Sequence, residues 1–248
     1  MSTAMSSAAQ QTSVRQSFEP LIRDRIARLK EEIPASITLM AVTKKMAVER
    51  MQVAYDCGLR HFGESRIQEA LPKQEALSHR PGLVWHFIGA LQSNKAKKAI
   101  AHFDWIHSVD SLKLAQRLDR FAQEEDRRPN LCLQVKILPD TNKSGWDVDE
   151  LLNALPQLHQ LKSVAMRGIM VIPPFGLSSQ ELQNCFEQAA DLYQSLQRQS
   201  RGKWEQFDQL SLGMSGDYQV AIAAGSTMVR LGRTIFGDRE IGKDCASQ

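Results

Sequence analysis

The sequence predicts a single-domain (β/α)8 TIM barrel with an extra N-terminal helix. Three observations carry this expectation. Eight short apolar stretches alternate with helical segments along one chain of 248 residues. Some of those stretches are mostly apolar, such as 37–43 (ITLMAVT) and 131–138 (LCLQVKIL), which suits parallel strands covered on both faces. The turn after the first of them, Val42-Thr43-Lys44-Lys45-Met46, lacks the glycines of a doubly wound open sheet. A chain of this length can bury one large core, and no linker or low-complexity segment divides it.

Residues 1–13 are small and polar, with no apolar signal-peptide core, and read as a disordered tail with Met5 as an alternative start. A transit peptide has weak support, since no arginine precedes Arg15. A helix over 14–32 sets Phe18, Leu21, Ile22, Ile26 and Leu29 on one face and stops before Pro34. The first strand, 37–43, ends at Lys44 and Lys45, and a helix over 48–56 is stopped by Gly58. The second strand, 59–62, runs into Gly63-Glu64-Ser65, followed by a helix over 67–77. The third strand, 83–88, ends at Gly89, and the next helix starts near Ser93. The fourth strand is 103–107, after which Ser108-Val109-Asp110-Ser111 caps a helix over 112–123 with Leu114, Leu118 and Phe121 on its apolar face.

The fifth strand, 131–138, leads through the polar segment 139–146 to a helix over 148–158. The sixth strand, 164–172, is broken by Pro173-Pro174. Ser178-Ser179-Gln180-Glu181 is a capping-box pattern, opening a helix with Leu182, Phe186, Ala189, Tyr193 and Leu196 on one side. The seventh strand is 206–212. Gly213-Met214-Ser215-Gly216-Asp217 then turns into a helix over 218–224, stopped by Gly225. The eighth strand, 227–231, leads into Gly232-Arg233. The barrel is thus expected over 14–240, with 241–248 as a C-terminal tail.

Composition excludes several classes of function. A net charge of +3 is too small to mark a nucleic-acid binder, and Lys95, Lys97 and Lys98 read as a solvated helix face. No apolar run approaches a membrane span. The four cysteines, Cys57, Cys132, Cys185 and Cys245, are far apart without a C-x-x-C pair, which fits a reducing cytoplasm and no zinc site. His102 and His107 bracket a strand and are not expected to share a metal.

The lysine pair ordinarily would mark a strand emerging into water. The sharper reading is an amine at the strand's C-terminal end, its pKa lowered by partial burial and a cationic neighbour, acting as a nucleophile towards an aldehyde. Barrels build their sites at that end and often hold a phosphate in the loops after the seventh and eighth strands. The candidates are 213–217 and, before and after the eighth strand, Gly225-Ser226-Thr227 and Gly232-Arg233. The first of these begins a helix, so its N–H groups can face an anion. Either loop alone could be an ordinary glycine turn. Arg230 on the eighth strand is placed to meet a pyridine nitrogen, or else to pair with an acidic residue at the barrel mouth. An amine beside a phosphate pocket suits pyridoxal 5'-phosphate (PLP), held as a Schiff base.

The motifs AVTKK, FGES-RIQEA, WHFIGALQSNKAKK, HSVDS, GIMVIPP and LSLGMSGDYQVAIAAGSTMVRLGRTIFG occur in order along the chain. Together they make a sequence that resembles the pyridoxal phosphate homeostasis protein family, which is similar to the barrel domain of bacterial alanine racemases without its β-domain. The resemblance covers about 21–237 and implies PLP bound covalently to Lys44, where strand spacing alone leaves Lys44 and Lys45 open. It implies phosphate contacts from Ser215, Gly225, Ser226 and Thr227, and Arg230 at the pyridine nitrogen. The family commonly has asparagine where this chain has Ser65.

A racemase needs an acid or base on each face of the carbanion. Tyr55 and Tyr193 fall on outer helices and Tyr218 near the phosphate loop, and an arginine at the pyridine nitrogen weakens the ring as an electron sink. The expectation is therefore a cytoplasmic, monomeric PLP carrier without catalytic residues or a metal. It would buffer the cofactor or deliver it to apo PLP-dependent enzymes and so bear on amino-acid metabolism. A PLP-dependent racemase is the alternative, with a Schiff-base aldolase third.

Overall fold

Eight parallel strands close into a barrel in sequence order: β1 Thr38–Val42, β2 His61–Glu64, β3 Val84–Phe87, β4 Trp105–Val109, β5 Asn130–Val135, β6 Ala165–Val171, β7 Gln209–Ser211 and β8 Met228–Leu231. The computed structural model describes residues 2–238, with side chains from residue 17 onward. β8 closes on β1 with Met40 opposite Arg230, and β1 pairs with β2 with Met40 opposite His61. The helices are α1 Ser2–Glu32, α2 Val48–Asp56, α3 Ile67–Ala76, α4 Ala96–His102, α5 Leu112–Glu124, α6 Val148–Leu158, α7 Ser179–Gln199, α8 Tyr218–Ala223 and α9 Arg233–Phe236.

Local chemistry accounts for most of these ends. Ser111 Oγ accepts from the Leu114 N–H at the start of α5, and Ser178 with Glu181 completes the capping box of α7. Strand, loop and helix side chains together make an outer core that includes Phe62, Phe103, Ile106, Phe186 and Trp146, all buried. Ile22 and Ile26 of α1 are fully buried, but Leu21, expected on that face, is exposed.

Four expectations are corrected. α1 begins at Ser2 rather than near residue 14, because 2–13 contain no glycine or proline and carry alanine and glutamine, which sustain a helix. β4 starts two residues later than read. Phe103 ends α4 and packs edge-on against Phe87, while the Asp104 carboxylate accepts from the Trp85 N–H. β7 spans three residues, and α9 was not foreseen. The tail 241–248, with Cys245, lies outside the described residues.

Candidate cofactor-binding site

Strand alternation fixes what faces inward. Met40 lies in the barrel interior against Gly63, and period two from Met40 gives Val42 and residue 44 the interior phase. β1 ends at Val42, so Lys44 belongs to the following turn. The turn is closed by the Met46 N–H donating to the Thr43 carbonyl at 2.9 Å. Lys44 is half-buried and Lys45 is exposed.

Ser215 stands in the loop after β7. Gly213 opens that loop at φ 89°, and a Cβ there would sit 2.8 Å from Ala221 Cβ and 2.9 Å from Tyr218 Cα, so only glycine fits. Its carbonyl accepts from the Arg230 N–H at 3.0 Å, which ties the loop to β8. Ser215 Oγ accepts from the Gly232 N–H at 3.2 Å and the Thr234 N–H at 3.3 Å. One hydroxyl and two amides therefore converge at the C-terminal end of β8, both amides donating to the hydroxyl oxygen. A Cβ on Gly232 would lie 3.5 Å from the Val42 carbonyl oxygen, so this cradle adjoins the strand end that leads to Lys44.

Arg230 is buried on β8, turned towards β6 and β7. It is 4% exposed, and it donates to the Ser211 carbonyl at 2.7 Å, Ser211 Oγ at 2.8 Å and the Val171 carbonyl at 2.9 Å. None of these partners is a carboxylate, so the expected alternative of an acidic partner at the barrel mouth is not what the structure shows. Burial lowers its pKa to about 10, which leaves the guanidinium charged at neutral pH. Deeper in the barrel, His61 Nδ1 meets His86 Nε2 at 2.9 Å and His86 Nδ1 meets His107 Nε2 at 2.9 Å. Trp105 stacks on His86 and His107. Desolvation first, then the Arg230 charge, lowers the His107 pKa to about 3, so the buried imidazole is neutral.

Comparison with known proteins bears on this site. The alanine racemase N-terminal domain family matches residues 21–240. A pyridoxal phosphate homeostasis protein of Synechocystis is 51% identical over 207 residues, 84% of this chain and 94% of the relative. One of Escherichia coli is 37% identical over 227 residues, covering 90% and 95%. The chain belongs to the pyridoxal phosphate homeostasis protein family. PipY of Synechococcus elongatus, solved without PLP and with PLP bound, superposes with TM-scores of 0.84 and 0.83 at 51% and 50% identity. Each match covers 87% of this chain and 100% of that one. An alanine racemase of Clostridium difficile, 16% identical at a TM-score of 0.69 over 90% of this chain and 57% of its own, shares the fold.

Within this family fold, three expected phosphate residues do not join Ser215. Gly225, Ser226 and Thr227 precede β8, and the Thr227 carbonyl accepts from the Thr38 N–H at the start of β1. They lie at the N-terminal end of the barrel, about 16 Å of strand away from Gly232 at ~3.3 Å per residue. Ser226 is buried, with Oγ within 3.2 Å of the Leu210, Leu212 and Met228 carbonyls and accepting from the Leu212 N–H, so it laces β7 to β8. Thr227 Oγ1 accepts from the Leu210 N–H. The anion-facing helix start expected at 218 is also absent in practice. α8 is six residues long, and the Asp217 carboxylate accepts from the Met214 N–H at its start, leaving negative charge there. The residues that do meet Ser215 are Gly232 and Thr234, and the signal was the Gly232-Arg233 step after the eighth strand.

Ser65, where the family commonly has asparagine, is half-buried with its backbone pressed against Gly89, whose Cβ would come within 2.1 Å of the Ser65 carbonyl oxygen. Among the described residues no cluster of His, Cys, Asp or Glu could hold a metal. No described helix is long and apolar enough to cross a membrane.

Proposed function

We propose that this chain binds PLP and holds it as a Schiff base on Lys44, buffering the cofactor and supplying it to apo PLP-dependent enzymes. The observation that carries the reading is the convergence of Ser215 Oγ with the Gly232 and Thr234 amides beside the strand end that leads to Lys44, with Arg230 buried on the same strand β8. A phosphate fits the hydroxyl-and-amide cradle, an aldehyde fits the amine, and a pyridine nitrogen can accept from a guanidinium. Lys44 would hold PLP here, and the cofactor's aldehyde would supply a reversible carbon–nitrogen bond to the lysine amine with loss of water. PipY, at about half sequence identity, was solved with PLP bound, and the relatives are named for PLP homeostasis.

A carrier rather than an enzyme is what the tyrosines support. Tyr55 donates to the Pro81 carbonyl, Tyr193 to the Phe207 carbonyl and Tyr218 to Glu32, so each hydroxyl is committed elsewhere. Burial keeps Tyr193 and Tyr218 protonated, both pushed up to about 12. A charged Arg230 would also hold a facing pyridine nitrogen unprotonated and blunt its electron withdrawal. We read the chain as monomeric and cytoplasmic.

The test is an absorption spectrum of the protein mixed with PLP, before and after borohydride, followed by peptide mapping. A visible band and a reduced adduct on Lys44, both lost in Lys44→Ala, are expected. Absence of band and adduct overturns the reading. Steady conversion of single L-amino acids to their D-isomers over many turnovers would replace the carrier with a racemase.

A further inference from the structure

Lys44 and Lys45 are adjacent, chemically alike amines in one turn. We propose that the buried ion pair of Glu64 and Lys73 selects between them. By clamping Thr43 it fixes the turn so that residue 44 is presented to the barrel mouth and residue 45 to solvent. Glu64 and Lys73 are then positioning residues, and this rests on the reading of Lys44 as the aldehyde-capturing amine.

Thr43, the last residue before the pair, is fully buried and gripped at every polar atom. Its N–H donates to the Gly63 carbonyl at 2.9 Å, and its Oγ1 donates to Glu64 Oε1 at 2.6 Å. Its carbonyl accepts from Lys73 Nζ at 2.8 Å and from the Met46 N–H at 2.9 Å. Lys73, reaching in from α3, pairs with the same Glu64 Oε1 at 2.8 Å. One carboxylate oxygen thus accepts both from the Thr43 hydroxyl and from the ammonium that holds the Thr43 carbonyl.

Stability alone is a poor reason for such a pair, because apolar residues of similar volume usually serve as well. Glu64 is wholly buried, and its Oε2 has no hydrogen-bond partner among the described residues, a cost that a merely stabilising pair would avoid. What the pair supplies is one geometry. Lys45 sits at φ 62°, a left-handed conformation costly for a residue with a Cβ, which persists only where its surroundings over-determine it. The Thr43-to-Met46 hydrogen bond encloses that residue at the third turn position. With Thr43 released, Lys45 would relax from φ 62° and the two amines would exchange exposure.

The experiment uses Lys73→Met with Glu64→Gln, which removes both charges and orphans neither, and Lys73→Arg, which keeps the charge. Amide hydrogen exchange is measured without cofactor. Each protein is then incubated with PLP, reduced with borohydride and peptide-mapped. In the double variant, protection of the Met46 N–H is expected to fall at least tenfold while β5 amides are unchanged. The share of adduct on Lys45 should rise at least fivefold, and Lys73→Arg should stay near wild type in both readouts. A wild-type Lys44-to-Lys45 ratio in the folded double variant overturns the proposal, as does a changed ratio with Met46 protection intact. Should the double variant not fold, Thr43→Val decides by the same two readouts, with a threefold rise on Lys45 expected. A wild-type protein with no adduct on either lysine instead overturns the underlying reading of Lys44.

Discussion

Lowering the pH from 7 to 5 offers a proton that the unfolded chain accepts and the folded barrel refuses. His107 is wholly buried and its pKa is held at about 3, against an ordinary 6.5, by desolvation first and then by Arg230 and His61. Below pH 6.5 the unfolded state binds more protons than the folded one. The stability from this group is therefore full above 6.5 and is lost progressively as the pH falls towards 3. At about 1.4 kcal/mol per pH unit, His107 alone removes ~2 kcal/mol between pH 7 and pH 5. His86 is pushed well below its usual range, by burial first, and adds to the loss with the same sign. Urea denaturation of the wild type and of His107→Gln at the two pH values isolates the group. Glutamine can place an amide where Nε2 meets His86 Nδ1 at 2.9 Å, and it does not titrate. The variant is expected to be less stable at pH 7, yet to lose ~2 kcal/mol less than the wild type on acidification. Equal losses would refute a neutral imidazole buried at this position.

Three substitutions test the two ends of β8. Ser215→Ala removes one donor from the proposed phosphate cradle and should weaken PLP binding by ~1.5–3 kcal/mol, about ten- to a hundredfold, while leaving pyridoxal, which has no phosphate, unaffected in an absorbance titration. Ser226→Ala should cost ~1–3 kcal/mol of stability in chemical denaturation, because its hydroxyl laces β7 to β8, with PLP affinity unchanged. A loss of PLP affinity there would restore the sequence reading of that residue. Gly213→Ala forces a Cβ at φ 89° to within 2.9 Å of two neighbours and should destabilise by ~2 kcal/mol or more, read as a lowered thermal midpoint.

Much of the fold was legible because its causes are local. The helices read over 48–56 and 148–158 have the bounds observed for α2 and α6, and the Ser178–Glu181 box opened α7 where it was expected. Eight apolar runs separated by helices left a barrel as the natural closure. Boundaries slipped where a neighbour decided them, as when Phe103 packed on Phe87 and delayed β4. The site was half legible. Lys44, Ser215 and Arg230 stand at or near the C-terminal end, where a strand-end reading puts them, but Gly225, Ser226 and Thr227 flank the same strand in sequence and lie at its other end in space.

By itself the sequence determined the eight-strand alternation, the amine after β1 and the glycine-rich loops around β8, because each depends on residues within a few positions of one another. Only the tertiary structure decided which of those loops shares an end with Lys44. It alone joined Lys73 to Thr43 across 30 positions, His61 to His107 through His86, and Arg230 to the carbonyls of β6 and β7. A parallel barrel brings the starts of its strands together at one end and their finishes together at the other, so sequence neighbours across a strand are separated and residues from distant strands become partners.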